Sequence, residues 1–330
     1  MSKLEKYKKI AYYLDKIIFK NKKFNMNDTI LIAGSPRSGT SWLMEVLGNI
    51  PEYTFLFEPL NPKFFPQSIK LGSASRVYLP SDADWVEGRD YFGEIFTGRL
   101  VGFQSLYQLK IREIMHLLLS NKIIVKSIRL NRLLPWVVEN FQLCKIIFII
   151  RHPCAAVASQ LKTGWCGYHS TTPPYQNIFP NLKTILHEAS EIKNLDPELF
   201  NRLKNIKTRE EILAAAWCLD NYVPLSMPKP HPWYLLIYEK LIKQGEKEIV
   251  KLFNEIGEKD FLQYAVRHLK TPSALTLDGD QKTIIKTNEQ LSKWKKFLSE
   301  KQIERILGVV SDFGLDFYTK EIEPDYETLF

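Results

Sequence analysis

Residues 34–41 read Gly-Ser-Pro-Arg-Ser-Gly-Thr-Ser. Two glycines bracket a short polar loop that carries one guanidinium, Arg37, and the hydroxyls of Ser38, Thr40 and Ser41. The chemistry open to such a set is the holding of an anion. Glycines let backbone N–H groups turn toward one point. A helix that starts just beyond the loop adds the positive end of its dipole. A bare turn would need the glycines but not an arginine between them.

The elements around the loop suit that task. Residues 30–33 are apolar and make a short buried strand, and from Ser41 onward apolar residues recur three and four apart, as on one face of a helix. The spacing can be compared with the nucleotide phosphate loop, G-x-x-x-x-G-K-[ST]. Both glycines and the terminal hydroxyl match. Thr40 stands where the lysine belongs, and the cation has moved to Arg37. That lysine bridges the outer phosphates of a triphosphate while the hydroxyl holds magnesium. A loop without it suits a phosphate but is poorly equipped for ATP.

Composition sets bounds. The chain has 330 residues, 45% hydrophobic and 25% charged, which is ordinary for a globular protein with one large α/β domain or two small ones. A net charge of +8 suits an anionic ligand or surface, but no zinc-finger spacing or helix-turn-helix points to nucleic acid. Cys144, Cys154, Cys166 and Cys218 are scattered and read as reduced thiols. The six histidines have no metal-ligand spacing, so no metal is expected. No signal peptide is evident, and the longest apolar run, residues 146–150, is far short of the ~20 that span a bilayer. A cytoplasmic location follows as an expectation. Residues 1–24 carry eight lysines against Glu5 and Asp15, with Ile10, Tyr13, Leu14, Ile17 and Ile18 on one helical face. Such a helix either docks peripherally on an anionic membrane or packs on the domain with its lysines in water, and the second is preferred.

The remaining elements follow in order. Residues 53–57 form a strand between Pro51 and Pro59, with Glu58 at its carboxyl end, the edge where open α/β sheets place ligands. Residues 59–105 read as long loops with short helices, and residues 107–119 as a helix. Residues 123–125 and 145–150 are strands, separated by a helix at 133–140. Pro153 fits the first turn of a helix that runs to Gln160. Residues 164–180 are irregular and aromatic, like a mobile lid. Helices at 210–222, 246–256, 290–298 and 302–311 and a strand at 233–238 complete the chain. Alternating strands and helices predict a single α/β domain, residues 29–330, with a parallel sheet flanked by helices and preceded by the basic helix of residues 1–28.

Two stretches together resemble a known family. Residues 35–42, Ser-Pro-Arg-Ser-Gly-Thr-Ser-Trp, resemble the 5′-phosphosulfate loop of sulfotransferases. Residues 147–159 resemble their 3′-phosphate segment: an apolar strand, Arg151-His152-Pro153, then Ser159 eight residues after the arginine. Phe57-Glu58-Pro59 and Lys126-Ser127-Ile128-Arg129 look like segments of the carbohydrate sulfotransferase branch. Trp217 and Tyr238-Glu239-Lys240-Leu241 resemble the family's later helix and strand end. The resemblance covers roughly residues 29–315. It implies a P-loop NTPase-like sulfotransferase fold and the donor 3′-phosphoadenosine 5′-phosphosulfate (PAPS), which leaves as PAP.

The resemblance also implies roles. Pro36, Arg37, Ser38, Gly39, Thr40, Ser41 and Trp42 would surround the 5′-phosphate, with Arg37 balancing charge on the bridging oxygen as the S–O bond breaks. Arg151 would fork two donors onto the 3′-phosphate and Ser159 would add a third. Glu58 would take the acceptor's proton, and Lys126 would touch the sulfuryl oxygens. Cytosolic members use a histidine after a Lys-x-x pattern. Here Arg129 follows Lys126 at that distance, which leaves His116 and His152 as the histidine alternatives. The cytosolic branch's C-terminal nucleotide clamp is reduced to Gly279, Lys282, Lys286 and Trp294-Lys295. The expected acceptor is a hydroxyl of a carbohydrate, glycolipid or related small molecule, for which Trp85, Tyr91, Phe92, Trp165, Tyr168 and Tyr175 offer stacking surfaces. Two other readings stay open. One is a P-loop kinase-like phosphotransferase, against which Thr40 stands. The other is a catalytically silent nucleotide-binding protein in which Glu58 is structural.

Overall fold

The computed structural model describes residues 23–72, 76–102, 119–170, 172–193, 195–269, 271 and 287–329. The basic helix expected over residues 1–24 lies almost wholly outside them, as do the helix at 107–119 but for its last residue, His116, Gly279, Lys282 and Lys286.

The first half of the chain runs β1 (Ile30–Gly34), α1 (Thr40–Leu47), β2 (Tyr53–Phe57), α2 (Val86–Phe96), β3 (Lys122–Ser127), α3 (Leu134–Asn140), β4 (Lys145–Ile150) and α4 (Pro153–Thr163). A small hairpin follows, β5 (Tyr168–His169) with β6 (Asn177–Ile178), and then α5 (Leu182–Glu191), α6 (Pro197–Leu203) and α7 (Arg209–Leu225). The chain continues with β7 (Tyr234–Ile237), α8 (Tyr238–Gln244), α9 (Glu246–Glu255), α10 (Leu262–His268), α11 (Thr287–Phe297), α12 (Glu300–Asp312) and α13 (Tyr326–Leu329).

Five strands form one parallel sheet in the order β2-β3-β1-β4-β7. A parallel sheet covered on both faces reads as unbroken apolar runs, and β1 is buried at every position. Alternate residues serve opposite faces. Leu31, Ala33, Val125, Phe148 and Ile150 join one core with α4, α7 and α12. Ile30, Ile32, Ile124, Ile147 and Ile149 join the other, with Leu43 and Met44 of α1 and Ile249, Leu252 and Phe253 of α9. From β1 the chain turns to one side for β2 and β3, then crosses to β4 on the other. That reversal opens a crevice outside the carboxyl ends of β1, β3 and β4. Among the described residues, no helix is long and apolar enough to cross a membrane.

Several aromatics offered as stacking surfaces need correction. Residues 59–105 contain the helix α2, whose Tyr91, Phe92 and Phe96 enter the core. Phe92 is fully buried, Trp85 lies 5.3 Å from the Trp136 ring, and the Tyr91 hydroxyl donates to Pro59 O at 2.8 Å. Tyr91 and Phe92 are therefore part of the core, while Trp85 stays half-buried against it. The segment 164–180 holds the β5–β6 hairpin, and its Tyr168 is buried, with the hydroxyl donating to Glu188 Oε2 at 3.0 Å.

Candidate active site

The loop after β1 is shaped by close approach. A side chain at Gly34 would bring its Cβ within 2.5 Å of Ile149 O. Gly39 has φ 97° and lies so near Tyr238 that a Cβ would stand 2.6 Å from the ring. Arg37 also occupies the left-handed region, at φ 69°, which costs a non-glycine residue about 1–3 kcal/mol and tends to occur at functional sites. Asn221 Nδ2 donates to Ser35 Oγ at 2.7 Å, and Gln160 Nε2 donates to Pro36 O at 3.4 Å, so α7 and α4 hold the loop from outside. No side chain caps the N-terminus of α1, which leaves its first N–H groups for an anion. Thr40 is buried, and Ser38 Oγ is buried with no partner among the described residues. Trp42 Nε1 donates to Thr271 O at 3.0 Å, so its polar edge goes to the protein.

The second expected anion segment meets the first. Arg151, one residue past β4, donates from Nη1 to Arg37 O at 2.9 Å and stacks its guanidinium 4.4 Å from the centre of the Tyr238 ring. Its carbonyl accepts from Trp217 Nε1 at 3.2 Å. Its Nε is buried without a partner among the described residues. Arg37 Nε donates to Ser159 Oγ at 2.8 Å. Two residues assigned to different phosphates are therefore joined here, and the Ser159 hydroxyl keeps its own proton to donate elsewhere. Gln290 Nε2 of α11 donates to the Tyr238 hydroxyl at 2.7 Å.

His152 is not placed as a base. It is the N-cap of α4: Nδ1 accepts from Cys154 N at 3.1 Å, and Nε2 lies 3.0 Å from both Thr319 O and Glu321 O. The ring stacks on Trp294 at 4.5 Å. Burial pushes its pKa down to about 4. Beneath it, Glu239 accepts from His152 N and from the Tyr318 hydroxyl, both at 2.9 Å, and burial raises its pKa.

Glu58 sits one residue past β2, buried, with φ 50°. Its N–H donates to Lys126 O at 2.8 Å. Lys126 Nζ lies 2.5 Å from Oε1, and Arg129 Nη1 lies 3.2 Å from Oε2. The Ile128 N–H points at the same carboxylate, 3.3 Å from Oε1. Lys126 and Arg129 are themselves buried. Burial pulls both below their usual pKa, Arg129 to about 10, while Glu58 opposes the fall in each case. Arg37 is close enough to push Lys126 the same way, which puts the loop and the carboxylate in one electrostatic neighbourhood. The expected catalytic carboxylate thus occupies a buried ion-pair cluster, with Lys126 committed to it.

Two participants have little sequence signal. Tyr238 is visible only as a strand end, and its packing on Gly39 and Arg151 depends on β7 lying beside β4. His169 in β5 receives Arg129 Nη2 at Nδ1, 2.8 Å away, and belongs to a stretch with no periodicity.

A parallel sheet in this order, with a glycine-bounded loop after its first strand and an arginine after its fourth, defines an open α/β fold with its crevice at the switch point. The sulfotransferase family model matches residues 29–260, and the chain belongs to that family. Solved structures of sulfotransferases resemble it at low identity. The sulfotransferase domain of the Synechococcus PCC 7002 olefin synthase shares 17% identity, with a TM-score of 0.45, over 88% of this chain and 96% of that one. Mouse sulfotransferase SULT7A1 complexed with PAP shares 15%, with a TM-score of 0.43, over 88% and 86%. The sulfotransferase domain from the curacin biosynthetic pathway shares 15%, with a TM-score of 0.42, over 88% and 97%. A comparison with curated proteins finds no match.

Proposed function

We propose that this protein moves a sulfuryl group from PAPS to a hydroxyl of a carbohydrate, glycolipid or related small molecule. One observation carries the reading: two anion-holding segments interlock through Arg37, Ser159 and Arg151 at the sheet edge where a buried, left-handed Glu58 also stands. The residues fit the donor nucleotide. Ser38 Oγ and Arg151 Nε are buried polar atoms with no partner among the described residues, which also place no side-chain cap on the α1 N-terminus. Buried polar atoms left unpaired are costly, so a partner of suitable chemistry is called for.

When bound, PAPS supplies a sulfuryl group on a phosphate–sulfate anhydride. The amides of residues 38–42 would hold its 5′-phosphate. Arg37, turning from Ser159, would face the oxygen on which negative charge grows. Arg151 and the Ser159 hydroxyl would hold the 3′-phosphate. Glu58, aimed by Lys126 and Arg129, would receive the acceptor's proton.

Titration calorimetry with PAP tests the donor half. Wild type binds, and Arg37→Ala and Arg151→Ala each weaken binding by roughly 10- to 100-fold, the worth of a charged hydrogen bond. Absence of binding by wild type, or binding by both variants as tight as that of wild type, would sink the reading. Glu58→Gln tests the other half: it keeps PAP binding and loses transfer from 35S-labelled PAPS. Unchanged transfer would leave Glu58 a structural ion-pair partner.

A further inference from the structure

His169 lies where the mechanism above places the acceptor, yet that mechanism gives it no task. It is buried in the hairpin that crosses the Glu58 cluster. Arg129 links the two, with Nη1 on Glu58 Oε2 and Nη2 2.8 Å from His169 Nδ1. A guanidinium has hydrogens and no lone pair to offer. Nδ1 must therefore be the accepting nitrogen, and a neutral ring carries its hydrogen on Nε2. No hydrogen bond from Nε2 to a side chain is present among the described residues.

We propose that His169 is an acceptor-binding residue: Arg129 fixes its ring as the Nε2–H form, and that N–H donates to an oxygen of the acceptor beside Glu58. The proposal rests on the sulfuryl-transfer reading. The charged groups that act on the ring all belong to this corner: Arg129 after β3, with Lys63 and Glu58 after β2. Burial, Arg129 and Lys63 disfavour the imidazolium and outweigh Glu58 and the Gly167 carbonyl, which favour it, so the ring's pKa falls to about 4. The site accordingly has a division of labour. Glu58 accepts a hydrogen, and His169 gives one. A hydroxyl flanked by a second oxygen, as in a sugar diol or a hydroxy acid, satisfies both.

The test uses the full chain labelled with 15N-histidine, with His169→Asn assigning the signal. Asparagine keeps an oxygen toward Arg129 where Nδ1 was and has no hydrogen at the Nε2 position. The expected spectrum shows the neutral Nε2–H form from pH 8 to about 5. An Nδ1–H form, or titration near the ordinary histidine value, overturns the proposal whatever the enzyme's activity. The second arm measures transfer from 35S-labelled PAPS to 4-nitrocatechol, lactose and 3-hydroxydecanoate, each with a second oxygen beside a hydroxyl. For any probe that wild type sulfates, His169→Asn is expected to raise KM tenfold or more with PAP affinity and melting temperature unchanged. A wild-type KM in that variant overturns the assignment, since a merely structural histidine would be replaced by asparagine at Arg129. Wild type that binds no PAP, or sulfates none of the probes, counts against the sulfuryl-transfer reading, and the spectrum still decides on His169.

Discussion

At Gly39 the loop meets the Tyr238 ring, on whose face Arg151 also lies. The left-handed φ of Gly39 and its contact with the Tyr238 ring leave no room for a methyl group. Gly39→Ala is expected to push Tyr238 away from Arg151 and so loosen both anion segments at once. PAP affinity should fall at least tenfold, and stability should fall by about 1–3 kcal/mol, the usual range for strain at such a position. Calorimetry and urea unfolding on the same preparation check this. An alanine variant with wild-type affinity would show that the Tyr238 contact does not shape the site. The glycine was legible in the sequence as a loop residue. The ring that makes it obligatory was not, because Tyr238 is 199 positions away and reaches it only through sheet order.

At the scale of elements, α4 is the piece whose placement matters most, since it carries Ser159 and follows Arg151. Its start is set by Pro153 and capped by His152. The cap works only while Nδ1 is unprotonated. Unfolded, that histidine takes up a proton below about pH 6.5; folded, it does so only near pH 4. Between these values the unfolded chain holds more protons, so stability is intact above pH 6.5 and declines as pH drops toward 4. The expected loss reaches about 3 kcal/mol, and His169 pulls in the same direction. Urea melts at pH 7, 5.5 and 4.5 measure it, and His152→Asn, which retains a capping oxygen, should flatten part of the dependence. A wild-type melt insensitive to pH over this range would rule the cap out as its source. Elements of this kind were mostly visible beforehand. Residues 145–150 read correctly as a strand because six consecutive positions are apolar or at its edge. The two-residue strands of the hairpin left no periodic trace, and α2 was hidden because its buried aromatics look like ligand-facing ones until the core is known.

Over the whole molecule, a second buried charge cluster ties distant segments together. Arg76, Arg132, Glu188 and Asp220 are each 3% exposed or less. Asp220 of α7 pairs with Arg76 at 3.0 Å and Arg132 at 3.2 Å, Glu188 of α5 pairs with Arg132 at 2.9 Å, and Arg76 stacks 4.0 Å from the Tyr168 ring. The cluster anchors the hairpin, and through it His169, to two helices. Removing one partner strands buried charge, so Asp220→Ala is expected to cost about 3–5 kcal/mol. A loss under about 1 kcal/mol by urea unfolding would contradict that role. Nothing in the sequence distinguished these four residues from solvated ones, because isolated charges carry no mark of the partner that will neutralise them.

The position of β1 has a consequence for how the chain is made. This strand pairs Ile30 with Ile124 on one edge and with Lys145 on the other. Neither neighbour exists when β1 leaves the ribosome. At roughly 5–20 residues per second, the central strand waits about 5–20 s with both edges open. The same delay applies to the loop of residues 34–41, whose hydrogen bonds come from residues later still. A growing chain thus displays an adhesive strand long before it has a site, and its yield in a cell depends on what shields that strand in the interval.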